Sequence, residues 1–210
     1  MILYLVRHGE SLFNAERRIQ GQSDVELSPL GHRQSDAVAT ELANLPINAI
    51  YVSPLRRAME TAEPIAARLK LAIQTDDRLK EINAGMFQEL KWDEIEHLHP
   101  AEAIHWKAQE ADFIIPGGES RRQLMTRARA AFQAIRETGL PQIVIVSHGG
   151  TMAAALKSLL QVPAELNPFA FYNGSISRLA WDKQLKVLTI NQLDHLRAVE
   201  LITEASAGDL

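Results

Sequence analysis

The sequence predicts an α/β protein: a three-layer α/β/α sandwich with a mostly parallel central sheet and a small helical lid insertion. Three observations predict it. The short apolar runs Ile2–Val6, Ala49–Val52 and Ile143–Val146 have the length and β-branched content of buried strands. Helical patterns separate these runs, as crossovers between parallel strands require. The run Ile143-Val144-Ile145-Val146 is apolar at every position, so both of its faces must be covered.

The elements follow in order. After Ile2–Val6 the chain presents Arg7-His8-Gly9-Glu10 at a strand's carboxyl end, the edge where open α/β sheets bind ligands. Ser28-Pro29 reads as an N-cap followed by proline at the first helical position, opening a helix bounded by Pro46. Ala49–Val52 is the second strand, and Ser53-Pro54 repeats the same start for a helix reaching about Leu69. Between Gly85 and Gly118 the texture changes to aromatic side chains mixed with charges, which reads as short helices inserted over one end of the sheet. Ser120-x-x-Gln123 is a capping-box pattern that opens a helix ending near Gly139. Ile143–Val146 leads into Ser147-His148-Gly149-Gly150 and a helix through about Leu160. Ile176–Trp181 and Leu185–Ile190 flank Asp182-Lys183-Gln184 as a hairpin, and Thr203 to Leu210 is small and polar enough to fray.

Composition narrows the function. The chain has 210 residues, 46% of them hydrophobic, a net charge of −4 and no basic block, so nucleic acid is not expected as a partner. With no cysteine, disulfides, thiolate catalysis and cysteine metal sites are excluded. No apolar stretch approaches the roughly 18 residues of a membrane span, and residues 1–6 are too short for a signal-peptide core, so a cytoplasmic protein with no membrane partner is expected.

Three strands thus end in polar, reactive residues: Arg7-His8, Ser53 with the first turns of its helix, and Ser147-His148. The two histidines lie 140 residues apart, so only folding joins them. Several such ends at one sheet edge point to a built anion site. Each residue also has a plainer reading. Arg57 has Glu60 and Glu63 within one or two helical turns, and Arg56 stands beside it as a rival contact. Glu81 also reads as a solvated loop carboxylate, Asn14 as a helix or turn residue, and Gly117-Gly118-Glu119-Ser120 as turn and cap. His97 and His99, with His105 further on, have the residue type of a metal site, but positions 97 and 99 fall on opposite sides of a helix. No metal is expected.

Five blocks resemble, in order, those of the histidine phosphatase superfamily, which includes the cofactor-dependent phosphoglycerate mutases. They are Arg7-His8-Gly9-Glu10-Ser11 with Asn14, Ser53-Pro54-Leu55-Arg56-Arg57-Ala58 with Thr61-Ala62, Leu79-Lys80-Glu81, Pro116-Gly117-Gly118-Glu119-Ser120 and Ser147-His148-Gly149-Gly150. The resemblance spans the chain and implies one domain over residues 1–210 with the lid at about 85–118. It implies that His8 is the nucleophile that becomes a phosphohistidine and that Arg7 and Arg57 grip phosphate oxygens with permanently charged, planar donors. It selects Arg57 over Arg56 because the phosphate arginine immediately precedes the alanine. His148, at a helix start with Gly149, would complete the phosphate pocket. Glu81 would protonate the leaving oxygen and then activate water. Asn14, Gln20 and Gly21 match positions that line the same pocket. No cofactor or metal is implied, and the partner is a small phosphorylated metabolite.

The lid separates mutase from phosphatase. In the mutases a Tyr follows the catalytic Glu by three positions, and this chain has Ala84. The place of a mutase Lys falls near Lys91-Trp92 and aligns with Trp, and the mutase Arg pair has no counterpart between Gly85 and Gly118. That segment carries Met86, Phe87, Trp92, Trp106, Phe113 and Ile114, either as a cover for a partly apolar substrate or as side chains that hold the lid on the sheet. The sequence therefore favours a phosphatase of small phosphomonoesters over a mutase. A non-catalytic phospho-ligand binder is disfavoured, because His8, Glu81 and the other site residues are all present. The run Phe169-Ala170-Phe171-Tyr172 reads either as a homodimer contact or as core.

Overall fold

The computed structural model describes residues 1–198; the fraying expected of Thr203 to Leu210 falls outside the described residues. Six strands form one sheet: β1 (Ile2–Arg7), β2 (Ala49–Val52), β3 (Ile73–Thr75), β4 (Gln142–Ser147), β5 (Ile176–Trp181) and β6 (Leu185–Gln192), in the order β3-β2-β4-β1-β5-β6. The first four strands in that order run parallel, β5 pairs antiparallel with β1, and β6 antiparallel with β5. The helices are α1 (Leu12–Glu16), α2 (Pro29–Leu42), α3 (Arg56–Leu69), α4 (Trp92–Leu98), α5 (Pro100–Lys107), α6 (Arg121–Glu137), α7 (Gly149–Leu159) and α8 (Asp194–Arg197).

The strand period of two builds the layers. Leu3 and Leu5 of β1, with Ile143 and Ile145 of β4, pack with Leu124, Ala128 and Phe132 of α6 and Met152 and Leu156 of α7. The intervening Tyr4, Val6, Val144 and Val146 pack with Val38 and Leu42 of α2 and Ala58 and Ile65 of α3. The continuous apolar run of β4 is therefore a strand with a helical layer on each side.

Register carries the site. Val6 pairs with Val146, and Val146 in turn with Val52, so β1, β4 and β2 end level. The residues at those ends, Arg7-His8, Ser147-His148 and Ser53, emerge side by side at one edge, on neighbouring strands about 4.8 Å apart.

The structure corrects the third helix's start. Ser53-Pro54 does not cap it: α3 begins at Arg56, with Leu55 at the N-cap position and no side-chain cap. The Ser53 hydroxyl is engaged elsewhere, 2.7 Å from His148 Nε2. Two short elements, α1 and β3, had no strong signal at five and three residues. The pattern Ser11-x-x-Asn14 was the available sign of α1, since it forms a reciprocal capping box. The lid consists of a 3-10 turn at Gly85–Phe87 followed by α4 and α5. Trp92 and Trp106 meet the buried Phe87 edge-on, with ring centroids 6.4 and 6.5 Å away.

Candidate active site

His8 leaves the end of β1 fully buried. Its Nδ1 lies 2.7 Å from the Gly9 carbonyl, which can only accept, so Nδ1 carries the proton and Nε2 keeps its lone pair. That lone pair faces Arg57, whose Nε–H donates to Nε2 at 3.3 Å. Three hydrogen bonds hold the turn: Gly9 N donates to Thr61 Oγ1, and the Asn173 amide donates to the carbonyls of His8 and Gly9. A Cβ on Gly9 would stand 2.5 Å from the Gly31 carbonyl oxygen, so this turn packs against α2 only as glycine. Burial, then the charges of Arg57 and Arg7, hold the His8 pKa well below the usual histidine value. Desolvation is the larger cause and the flanking arginines the smaller.

Both arginines are completely buried. Arg7 Nη1 donates to the Phe171 carbonyl at 2.6 Å. Arg57 donates through Nη1 to the Ser23 carbonyl and through Nη2 to the Gly21 carbonyl. The ambiguity over helix α3 is resolved by its period. Arg56 faces outward and pairs with Glu60 and Glu26, while its neighbour Arg57 turns inward to His8.

His148 is the N-cap residue of α7, with its ring centroid 5.1 Å from that of His8. Its Nε2 contacts Ser53 Oγ, and its buried Nδ1 has no hydrogen-bond partner among the described residues. Burial, Arg57, His8, Arg7 and Arg127 all act to lower its pKa well below the ordinary value. Gly149 follows it against Arg7.

Glu81 reaches the same edge from the loop after β3 and is buried, not solvated. Its Oε1 accepts from Ile82 N and Thr151 Oγ1, and its Oε2 from Gly150 N at 2.9 Å. A Cβ on Gly150 would stand 2.6 Å from Glu81 Oε1, so glycine there admits the carboxylate to the start of α7.

The Pro116–Ser120 block braces this loop in addition to capping α6. Glu119 N donates to the Asn83 carbonyl, and Asn83 N donates back to Glu119 Oε1. Arg127 pairs with Glu119 and donates to the Lys80 and Glu81 carbonyls. A Cβ on Gly118 would come within 2.2 Å of the Asn83 oxygen.

Asn14, Gln20 and Gly21 are brought to this edge. Asn14 Oδ1 accepts from Asn173, and Gln20 Oε1 accepts from Ser11 Oγ at 2.6 Å. Gly21, at φ +53°, turns its carbonyl to Arg57. Sequence reasoning missed Asn173, Thr151, Arg127 and Asn83. The Asn173-Gly174 dipeptide, a turn signal just before β5, was the one local sign available. No group of three or more His, Cys, Asp or Glu suited to a metal occurs among the described residues.

A cleft of about 200 Å³ opens from Gly149 and Gly150. Of the six lid residues singled out above, only Trp106 lines it, and the apolar wall is completed by Leu124, Met125, Phe169 and Phe171. Phe87 is buried, and Met86, Trp92 and Phe113 pack against the core, so these four hold the lid on. The cleft is not short of cations, as the lid alone implied: Arg121 and Lys157 reach it from α6 and α7.

A histidine, two arginines, a second histidine and a carboxylate on the ends and loops of such a sheet are residue types suited to phosphoryl transfer. Residues 3–192 match the sequence profile of the histidine phosphatase superfamily (branch 1), and the chain belongs to that family. It is 37% identical to the probable phosphoglycerate mutase GpmB of Shigella boydii, over 95% of this chain and 96% of that protein. Among solved structures, the mycobacterial glucosyl-3-phosphoglycerate phosphatase superposes with a TM-score of 0.81 at 32% identity, over 90% of this chain and 98% of that one. Bacillus stearothermophilus YhfR superposes with a TM-score of 0.86 at 30% identity, over 93% and 98%. The α-ribazole phosphatase from Shigella flexneri, at 23% identity and a TM-score of 0.84 over 91% and 96%, shares the fold.

Proposed function

We propose that the chain is a metal-independent phosphatase that hydrolyses phosphomonoesters of small metabolites through a phosphohistidine at His8. The observation that carries this reading is the state of His8: fully buried, its pKa depressed, and its tautomer fixed so that Nε2 holds the lone pair beside Arg57. A buried, neutral and oriented imidazole is a nucleophile in waiting.

In the first step Nε2 attacks phosphorus, the P–N bond forms and the ester P–O bond breaks. Glu81 gives its proton to the departing oxygen. Arg7 and Arg57 spread their charge over the phosphoryl oxygens, and His148 offers its unpartnered Nδ1 as a further donor. In the second step Glu81 takes a proton from water, the oxygen attacks phosphorus, the P–N bond breaks and inorganic phosphate leaves. Asn14, Gln20, Gly21 and Gly149 shape the pocket around these groups.

A second reading, cofactor-dependent phosphoglycerate mutase, is favoured by the 37% identity to a probable phosphoglycerate mutase. Incubation with 3-phosphoglycerate, with and without 2,3-bisphosphoglycerate, separates the two. The phosphatase reading expects phosphate release from a panel of phosphomonoesters in the presence of EDTA and no bisphosphoglycerate-stimulated isomerisation. Efficient stimulated isomerisation overturns it.

A further inference from the structure

The cleft beside the active site contains a charge arrangement that the proposed reaction does not use. Arg121 and Lys157 are each more than nine-tenths buried, and neither forms an ion pair among the described residues. Arg121 stacks on the Trp106 ring, its guanidinium carbon 3.2 Å from the centroid, and donates through Nη2 to the Trp106 carbonyl. Its Nη1 is buried with no hydrogen-bond partner among the described residues. Lys157 Nζ donates to the Ala164 carbonyl at 2.7 Å.

Three separate costs fall on this pair. Burial brings the Arg121 pKa down to about 10. The Arg121 charge, after burial, depresses Lys157, and the opposing field of Glu165 is smaller. Arg121 is also the first residue of α6, where the positive end of the helix dipole disfavours a cation. Two buried like charges without a counter-ion are unfavourable unless an anion completes them.

The geometry points to a second-anion subsite. We propose, resting on the phosphatase reading above, that the substrate is a phosphomonoester with an apolar body and a carboxylate or second phosphate that Arg121 and Lys157 bind. Gly149, Gly150, Ala153, Ala154 and Lys157 line the cleft along one face of α7, so small side chains floor a channel that ends in a cation. At 1.5 Å per residue, Lys157 lies roughly 12 Å along the axis from Gly149. The two anions of the substrate are therefore separated by a spacer of several atoms, and Trp106, Phe169 and Phe171 face its body.

Matched phosphonates test this by calorimetry, independently of turnover. For the wild-type protein, 6-phosphonohexanoate is expected to bind at least about tenfold more tightly than hexylphosphonate, the lower range for a charge-assisted hydrogen bond. The gain is expected to be absent for 3-phosphonopropanoate over propylphosphonate, whose spacer is too short. Hexane-1,6-diphosphonate reports whether the second anion is better met as phosphonate than as carboxylate. In Arg121→Gln and Lys157→Met, folding checked by circular dichroism, the hexanoate preference falls to about one. A wild-type preference of one, the same gain for the short pair, or a preference that survives in both variants overturns the subsite. A preference of tenfold without hydrolysis of p-nitrophenyl phosphate upholds the subsite and overturns the phosphatase reading.

Discussion

The edge that carries His8 and the cleft beside it are built differently. The edge is made of residues at or just after the level ends of β1, β2 and β4, fully buried and tied by short hydrogen bonds to backbone and to one another. The cleft is assembled from α5, α6, α7 and the segment before β5, which approach from distant parts of the chain. The first arrangement fixes reacting groups with the precision of a sheet. The second leaves room to vary the substrate's body without disturbing the chemistry. On this view, changes at the edge reduce turnover of every substrate, and changes in the cleft alter which substrate is preferred.

The largest effect expected is that of His8→Ala, a loss in kcat on the order of 10⁴-fold or more, uniform across a substrate panel, as for removal of a covalent nucleophile. Steady-state rates on p-nitrophenyl phosphate and on alkyl phosphates check it, and a loss confined to one substrate breaks the division between edge and cleft.

Glu81→Gln comes next. Loss of a general acid costs about 10²–10⁴-fold, so kcat on alkyl phosphates is expected to fall within that range. The fall is smaller on p-nitrophenyl phosphate, whose leaving group needs no proton. Equal losses on both would take Glu81 out of the proton-transfer role.

Arg57→Lys retains charge and loses the planar fork that donates at once to His8 and to the Ser23 and Gly21 carbonyls. It is expected to lower kcat/KM by roughly 10²-fold, measured at saturating and limiting substrate. Arg56→Lys, on the exposed side of the same helix, is expected to change little.

A brace outside the chemistry gives a smaller change. Gly118→Ala places a methyl group against the Asn83 carbonyl, so the loop carrying Glu81 must shift. Overpacking of this kind costs about 1–3 kcal/mol, readable in chemical denaturation, with kcat reduced and KM held.

The pH dependence has a defined sign. His8 and His148 have folded-state pKa values below the unfolded value of 6.5. The unfolded chain therefore binds more protons in the window below pH 6.5, and stability is lost as pH falls through it, by up to about 1.4 kcal/mol per unit for each imidazole. Denaturation midpoints between pH 5 and 7 should fall toward acid, and less steeply in His148→Gln.

The legibility of the two regions differs for the same physical reason. Strand ends carry their chemistry next to an unmistakable apolar run, so Arg7, His8 and His148 could be placed at one edge from sequence, and the ordered blocks added Arg57 and Glu81. The bond from Ser53 to His148 could not be read, because the Ser-Pro pair looks like a helix cap whatever its hydroxyl meets. Nor could Arg127 or Asn173, whose side chains reach, among other partners, backbone carbonyls 46 and 165 residues away. Arg121 and Lys157 read as ordinary surface cations on amphipathic helices until packing buries them together. The lid segment had two open readings: four of its six singled-out side chains serve the lid's own packing, and the cleft draws its apolar wall mainly from Leu124, Met125, Phe169 and Phe171.

Trapping the phosphoryl group on the protein shows whether His8 is the nucleophile. The protein is mixed with excess p-nitrophenyl phosphate, quenched in alkali within one turnover, digested and mapped by mass spectrometry. A single acid-labile phosphoryl group is expected on His8, absent from His8→Ala. Steady turnover with the label on another residue, or full activity in His8→Ala, would contradict it.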